Sequence, residues 1–167
     1  MDWTDYQFIQ IIKKTNIREL KKKNLPKDKK LFYLKLVIHI VGDLSQPLHV
    51  SAQGTSGGNS IKVTWFSAQS NLHRVWDENL IEYQQLSYTE YVKAINFPTP
   101  SQLKTWLGQP INQWIFESYT ISQKLVDGME QNARLGYEYN FAQVATLNEQ
   151  LLKGGIRLAS VLNNIFK

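Results

Sequence analysis

The sequence contains no cysteine. No disulfide framework can staple the fold, and no thiolate can ligate zinc. Any metal would have to be held by His, Asp, Glu or backbone oxygen. Histidine is scarce as well, with three in 167 residues. Long apolar runs are missing: the longest, Leu31 to Val41, is interrupted by Lys35 and His39 and cannot supply the roughly 20 apolar residues of a membrane span. The opening MDWTDYQFIQ lacks the basic start and apolar stretch of a secretory signal. There is no internal repeat and no linker-like tract.

What is present suits an ordinary globular chain. At 167 residues and 43% hydrophobic content, a single domain over 1–167 with a sizeable unstapled core is expected. Nineteen basic residues against fourteen acidic ones give a net charge of +5. The excess is concentrated in KKKNLPKDKK, residues 21 to 30. Such a run is ordinarily a solvated loop between helices and less often a patch for a polyanion.

Hydrophobic periodicity predicts an all-α fold. Residues 5 to 23 read as a first helix with Phe8, Ile11, Ile12 and Leu20 on one face. Pro26 opens a second helix over 28 to 44, apolar nearly all round and therefore expected at the centre of the domain, and Pro47 stops it. SAQGTSGGNS, residues 51 to 60, is a loop by composition. IKVTWF, residues 61 to 66, is the one stretch rich enough in β-branched and aromatic residues for an extended or hairpin segment. A third helix follows, N-capped by Ser70 or Asn71. Ser87 and Glu90 form a capping-box pattern, Pro110 breaks the next helical stretch, and a long C-terminal helix carries Gly154 and Gly155 in its middle. A close helix–helix contact would account for that glycine pair.

All three histidines fall into one pattern. His39 and Asp43 are four apart on a predicted helix, and so are His73 and Asp77. That spacing puts both members of each pair on one helical face. His49 lies between them, just past Pro47. One such pair alone is more often a local hydrogen bond than a metal site, and His49 alone would be an ordinary loop histidine. Together they supply imidazole and carboxylate, which zinc accepts when thiolate is absent. Trp76 fits the core better than a base-stacking role, Arg74 fits a solvated position better than a phosphate contact, and Gly42 could allow close approach beside Asp43 or simply punctuate the helix end.

In order, HIVGDLSQPLHV (39–50), GGNSIKVTWF (57–66) and NLHRVWD (71–77) resemble the zinc-dependent S1/P1 nucleases. The C-terminal LNEQLLKGGIRLASVLN is similar too, so the resemblance runs from about Leu31 to Lys167. It implies the helical fold shared with zinc-dependent phospholipases C, although QPLH and GGN favour the nucleases. By the same resemblance, His49, His73 and Asp77 would bind one zinc, His39 a second, and Asp43 would be the catalytic carboxylate bridging that zinc to a third. The family cluster binds a phosphodiester, activates water and stabilises the leaving oxygen. The implied substrate is single-stranded DNA or RNA, and the implied location is secreted or periplasmic.

The chain departs from the family pattern at its start. The resemblance calls for an N-terminal tryptophan closely followed by a histidine, and for a further Asp and His. Trp3 does not substitute, being preceded by Met1 and Asp2, and no histidine precedes His39. The chain is therefore expected to correspond to the C-terminal two-thirds of a zinc nuclease domain: a fragment, a shortened paralogue, or a chain whose missing ligands come from elsewhere. Of the zinc sites only His49/His73/Asp77 is expected to be complete. The alternative is a non-catalytic zinc-binding helical module that binds nucleic acid or a protein.

Overall fold

A computed structural model of the chain describes residues 17–51 and 54–167. Seven helices and a small sheet make up this part. Helix α1, Ile17–Leu20, is the described portion of the first predicted helix; its remainder and Trp3 lie outside the described residues. Helix α2 spans Lys27–Asp43 after Pro26, whose fixed φ suits a helix entry. A 3-10 turn, Pro47–Val50, follows, with the proline in its first turn where no N–H is needed.

Strand β1, Lys62–Trp65, turns through Phe66 and Ser67 into β2, Ala68–Asn71. Helix α3 then runs as Leu72–Arg74, a π turn Val75–Asn79, and Leu80–Tyr83, with Asn71 as its N-cap accepting from the Arg74 N–H at 2.8 Å. Helices α4 (Tyr88–Ile95), α5 (Pro100–Gly108) and α6 (Ile111–Asp127) lead to β3 (Ala133–Leu135) and the long α7, Tyr137–Ile165. The capping box of Ser87 and Glu90 opens α4, and Thr99 with Gln102 builds another at α5.

Three strands stand where the sequence suggested one. Their order is β2-β1-β3, with β1 antiparallel to β2 and parallel to β3. AQSN has no apolar alternation, and a three-residue ARL is too short to show any. Both are drawn into strand geometry by the open edges of β1 rather than by their own propensity.

Helix α2 also differs from expectation. Val37, Ile40 and Val41 are buried, but Leu31, Phe32 and Ile38 are 52%, 58% and 42% exposed. It is a half-buried helix, packed along one side on α7. Apolar content on every face did not specify what covers each face.

Two apolar cores flank the 3-10 turn. One gathers Val37, Val41, Leu44, Val50, Trp114 and Ile115; the other gathers Leu48, Val63, Leu72, Val75, Trp76 and Leu80. Leu48 and Val50 thus anchor into different cores and leave His49 between them. The turn from α2 into this segment is also held by polar bonds. Ser118 Oγ of α6 donates to the Leu44 carbonyl, and Gln150 Nε2 of α7 donates to the Ser45 carbonyl at 3.0 Å. These are carbonyls that a helix end leaves without internal partners. Helix α7 comes close because residue 154 is glycine: a Cβ there would lie 2.8 Å from Ser45 Oγ. A Cβ at Gly155 would meet nothing within 4 Å, so the contact accounts for the first glycine and nothing in the structure accounts for the second.

Candidate metal centre

Helix α3 buries Leu72, Val75, Trp76 and Leu80, which turns His73 and Asp77 to its other side. The π turn contains Asp77, and such local widening of a helix often accompanies a functional residue. His73 Nε2 lies 3.1 Å from Asp77 Oδ2. The 3-10 turn brings His49 Nε2 to 3.1 Å from Asp77 Oδ1, and its ring stacks on His73 with centroids 4.9 Å apart. His49 Nδ1 lies 3.5 Å from Asp43 Oδ1, and Asp43 Oδ2 lies 3.3 Å from His39 Nε2. All five predicted residues therefore join in one line, His39–Asp43–His49–Asp77–His73.

The loop before β1 completes the cradle. The Gly57 carbonyl faces His73 Nδ1 at 2.7 Å. Gly57 has φ +63°, and a Cβ there would sit 2.6 Å from the Leu48 carbonyl oxygen and 3.3 Å from His73 Nδ1. Only glycine fits this turn without displacing the histidine. Asn59 bonds the Ser56 carbonyl at 2.9 Å and so shapes the loop. A Cβ on Gly42 would meet nothing within 4 Å among the described residues, so no close approach there explains that glycine.

The proton inventory identifies what the cluster needs. A carbonyl can only accept, so His73 Nδ1 carries its proton and donates to Gly57. In the neutral ring Nε2 then has a lone pair, pointed at a carboxylate oxygen. His49 faces carboxylate oxygen at both ring nitrogens but has only one proton when neutral. These contacts become favourable when a cation is shared between the donors: an extra proton or a metal ion. One donor atom from each of His49, His73 and Asp77 lies within 4.8 Å of the others. Tetrahedral zinc with bonds of about 2.0–2.1 Å separates its ligand atoms by about 3.3 Å. The 3.1 Å between His73 Nε2 and Asp77 Oδ2 is close to that separation, while His49 Nε2 reaches the other Asp77 oxygen, Oδ1, at 3.1 Å.

The neighbouring polar groups have other tasks. Arg74 Nε donates to Glu78 at 2.6 Å on the exposed side of α3. That hydrogen bond holds the Glu78 carboxyl below, and the Arg74 guanidinium above, its ordinary range. Trp76 is buried and donates to the Tyr139 hydroxyl at 2.9 Å. Burial pushes the Tyr139 hydroxyl up to about 12, partly offset by that bond. Trp76 is thus a core residue and Arg74 an exposed arginine paired with Glu78, as the sequence favoured.

One residue at the centre had no role in the sequence reading beyond its place in QPLH. Gln46 caps the 3-10 turn and donates from Nε2 to Asp77 Oδ1 at 2.6 Å. A glutamine just before a helix-stopping proline was the available signal.

The chain is similar to known proteins along most of its length. The family model described as S1/P1 Nuclease matches residues 4–167, beginning well before Leu31. Endonuclease 2 of Arabidopsis thaliana is 32% identical over an alignment of 149 positions that covers 80% of this chain and 51% of that protein. Nuclease S1 of Aspergillus oryzae is 31% identical over an alignment of 156 positions, with 79% of this chain and 53% of the relative covered. Nuclease P1 of Penicillium citrinum is 28% identical over 157 residues, with 79% and 57% covered. The chain spans about half the length of the curated relatives it matches.

Proposed function

The chain belongs to the S1/P1 nuclease family, and from that premise we propose that it carries the zinc-binding part of a phosphodiester hydrolase for single-stranded DNA or RNA. The observation that supports this best is the convergence of His49, His73 and Asp77, three donors of the type zinc accepts, with one ligand atom of each within 4.8 Å of the others. His49 and His73 are neutral donors, and Asp77 contributes negative charge. The Gly57 carbonyl keeps the His73 proton on Nδ1. Bound zinc supplies Lewis acidity, drawing charge from a phosphodiester and making water a stronger acid. Asp43 would be the carboxylate bridging the His39 zinc to a third; one of its oxygens faces His39 and the other His49. A secreted or periplasmic location follows from the family resemblance alone; no described helix is long and apolar enough to cross a membrane.

The chain by itself should hydrolyse nucleic acid poorly. Its three histidines are all used by one three-donor site and one His–Asp pair. A three-zinc cluster needs more donors than these. Removing one pre-organised electrostatic contact from a reaction centre typically costs about 10²–10³ in rate. This favours, for the isolated chain, the second reading as a zinc-binding helical module that engages nucleic acid or a protein without cutting.

Metal content after purification without chelator tests the reading. About one zinc per chain is expected, and none would refute the metal site. Release of acid-soluble nucleotides from denatured DNA and RNA, with zinc added, should stay near background. Robust turnover lost in both His49→Ala and Asp77→Ala would refute the impairment.

A further inference from the structure

Gln46 lies against the metal ligands without being one of them. We propose that it is the positioning residue of the centre: its amide sets the register between ligands on two separate elements and directs Asp77 Oδ2 towards the metal. The proposal rests on the reading that His49, His73 and Asp77 hold zinc.

Chemistry fixes the orientation of the amide. The Leu48 N–H can only donate, so it must meet the Gln46 oxygen, as it does at 2.5 Å. The amide nitrogen is then the group facing Asp77 Oδ1, at 2.6 Å. The opposite orientation would set donor against donor at one end and acceptor against acceptor at the other.

The backbone of Gln46 belongs to the segment that delivers His49, whose N–H donates to the Gln46 carbonyl at 3.1 Å. Asp77 lies 31 residues further on, in the π turn of α3. One side chain therefore ties the turn carrying His49 to the helix carrying His73 and Asp77. The same bond divides the two oxygens of Asp77. Oδ1 receives Gln46 and faces His49 Nε2, while Oδ2 faces His73 Nε2. A neutral amide holds the carboxylate without cancelling its charge, which lysine or arginine at this place would do. Groups that orient metal ligands in this way typically account for about 10–100-fold in affinity.

Zinc affinity measured by chelator competition and the visible spectrum of the cobalt(II) form test the proposal without reference to turnover. Gln46→Met keeps the length and loses the amide. It should weaken zinc binding about 10–100-fold and alter the cobalt(II) bands, and loss of the cap on the Leu48 N–H should lower the thermal midpoint of the metal-free chain modestly. Gln46→Glu keeps an oxygen for the Leu48 N–H and replaces only the donor to Asp77. Its cobalt(II) spectrum should change as well, and it decides the matter if Gln46→Met unfolds. Parent-like affinity in Gln46→Met, or a parent-like spectrum in Gln46→Glu, would overturn the positioning role. A parent chain that binds no zinc would sink the metal reading itself, a separate failure.

Discussion

His39 and His73 each stand four residues before an aspartate on a helix, yet they are held very differently. The His73 side chain is 21% exposed, bonded to the Gly57 carbonyl and stacked on His49. The His39 side chain is 69% exposed on the open side of α2, and Asp43 is its one recorded side-chain partner among the described residues. Equal spacing yields equal facing of ring and carboxylate. It does not yield equal preorganisation, which comes from what stands behind each ring. A ligand whose other nitrogen is held by a carbonyl presents its lone pair in one direction, whereas a solvated ligand must lose rotamer freedom on binding.

The largest expected difference between the two regions is in metal content. His73→Ala should abolish zinc binding, because two protein ligands rarely suffice for a tight site, whereas His39→Ala should leave about one zinc per chain. Equal losses in elemental analysis of the two variants would erase the distinction. Next comes the support itself. Gly57→Ala forces a side chain into left-handed backbone and against the Leu48 carbonyl. Strain alone should cost about 1–3 kcal/mol, visible as a lowered denaturation midpoint together with weaker zinc binding; parent values would show that the loop yields freely.

The buried side of α2 can be probed with the two glycines of α7. Gly154→Ala crowds Ser45 and should destabilise by about 1–3 kcal/mol. Gly155→Ala meets no neighbour within 4 Å and should stabilise by up to about 1 kcal/mol through helix propensity. Urea midpoints of the pair check the sign of each. The last effect is confined to high pH. Tyr139 titrates near 12 in the fold, above its unfolded value near 10. Its contribution is therefore full below pH 10 and is lost as pH rises towards 12. Tyr139→Phe should flatten that part of the stability profile and leave zinc content unchanged.

Much of the centre was legible because it is local chemistry. The His39–Asp43 and His73–Asp77 spacings follow from helical geometry, and Asn71, Ser87 and Pro110 mark boundaries through their own side chains or missing N–H. The Thr99–Gln102 capping box is equally local. What escaped depends on distant partners. Ala68–Asn71 and Ala133–Leu135 become strands only against β1, and Leu31, Phe32 and Ile38 look like core residues until the covering element is sought. Gln46 shows no chemistry of its own in the sequence, because its partner is 31 residues away.

The clamp on the Leu44–Ser45 turn has a consequence in time. The five clustered His and Asp residues lie between residues 39 and 77, but Ser118 and Gln150 sit 74 and 105 residues beyond the carbonyls they hold. During synthesis at about 5–20 residues per second, the donors are complete roughly 4–15 s before Gln150 is made. On the proposed zinc reading, a nascent chain would present these residues as a loose set well before α7 closes behind them. Dissociation of metal bound at that stage should be fast, and the slow release of the mature centre should appear only once the last helix has docked. A release assay on chains stalled after residue 110 and after residue 167 would separate the two stages.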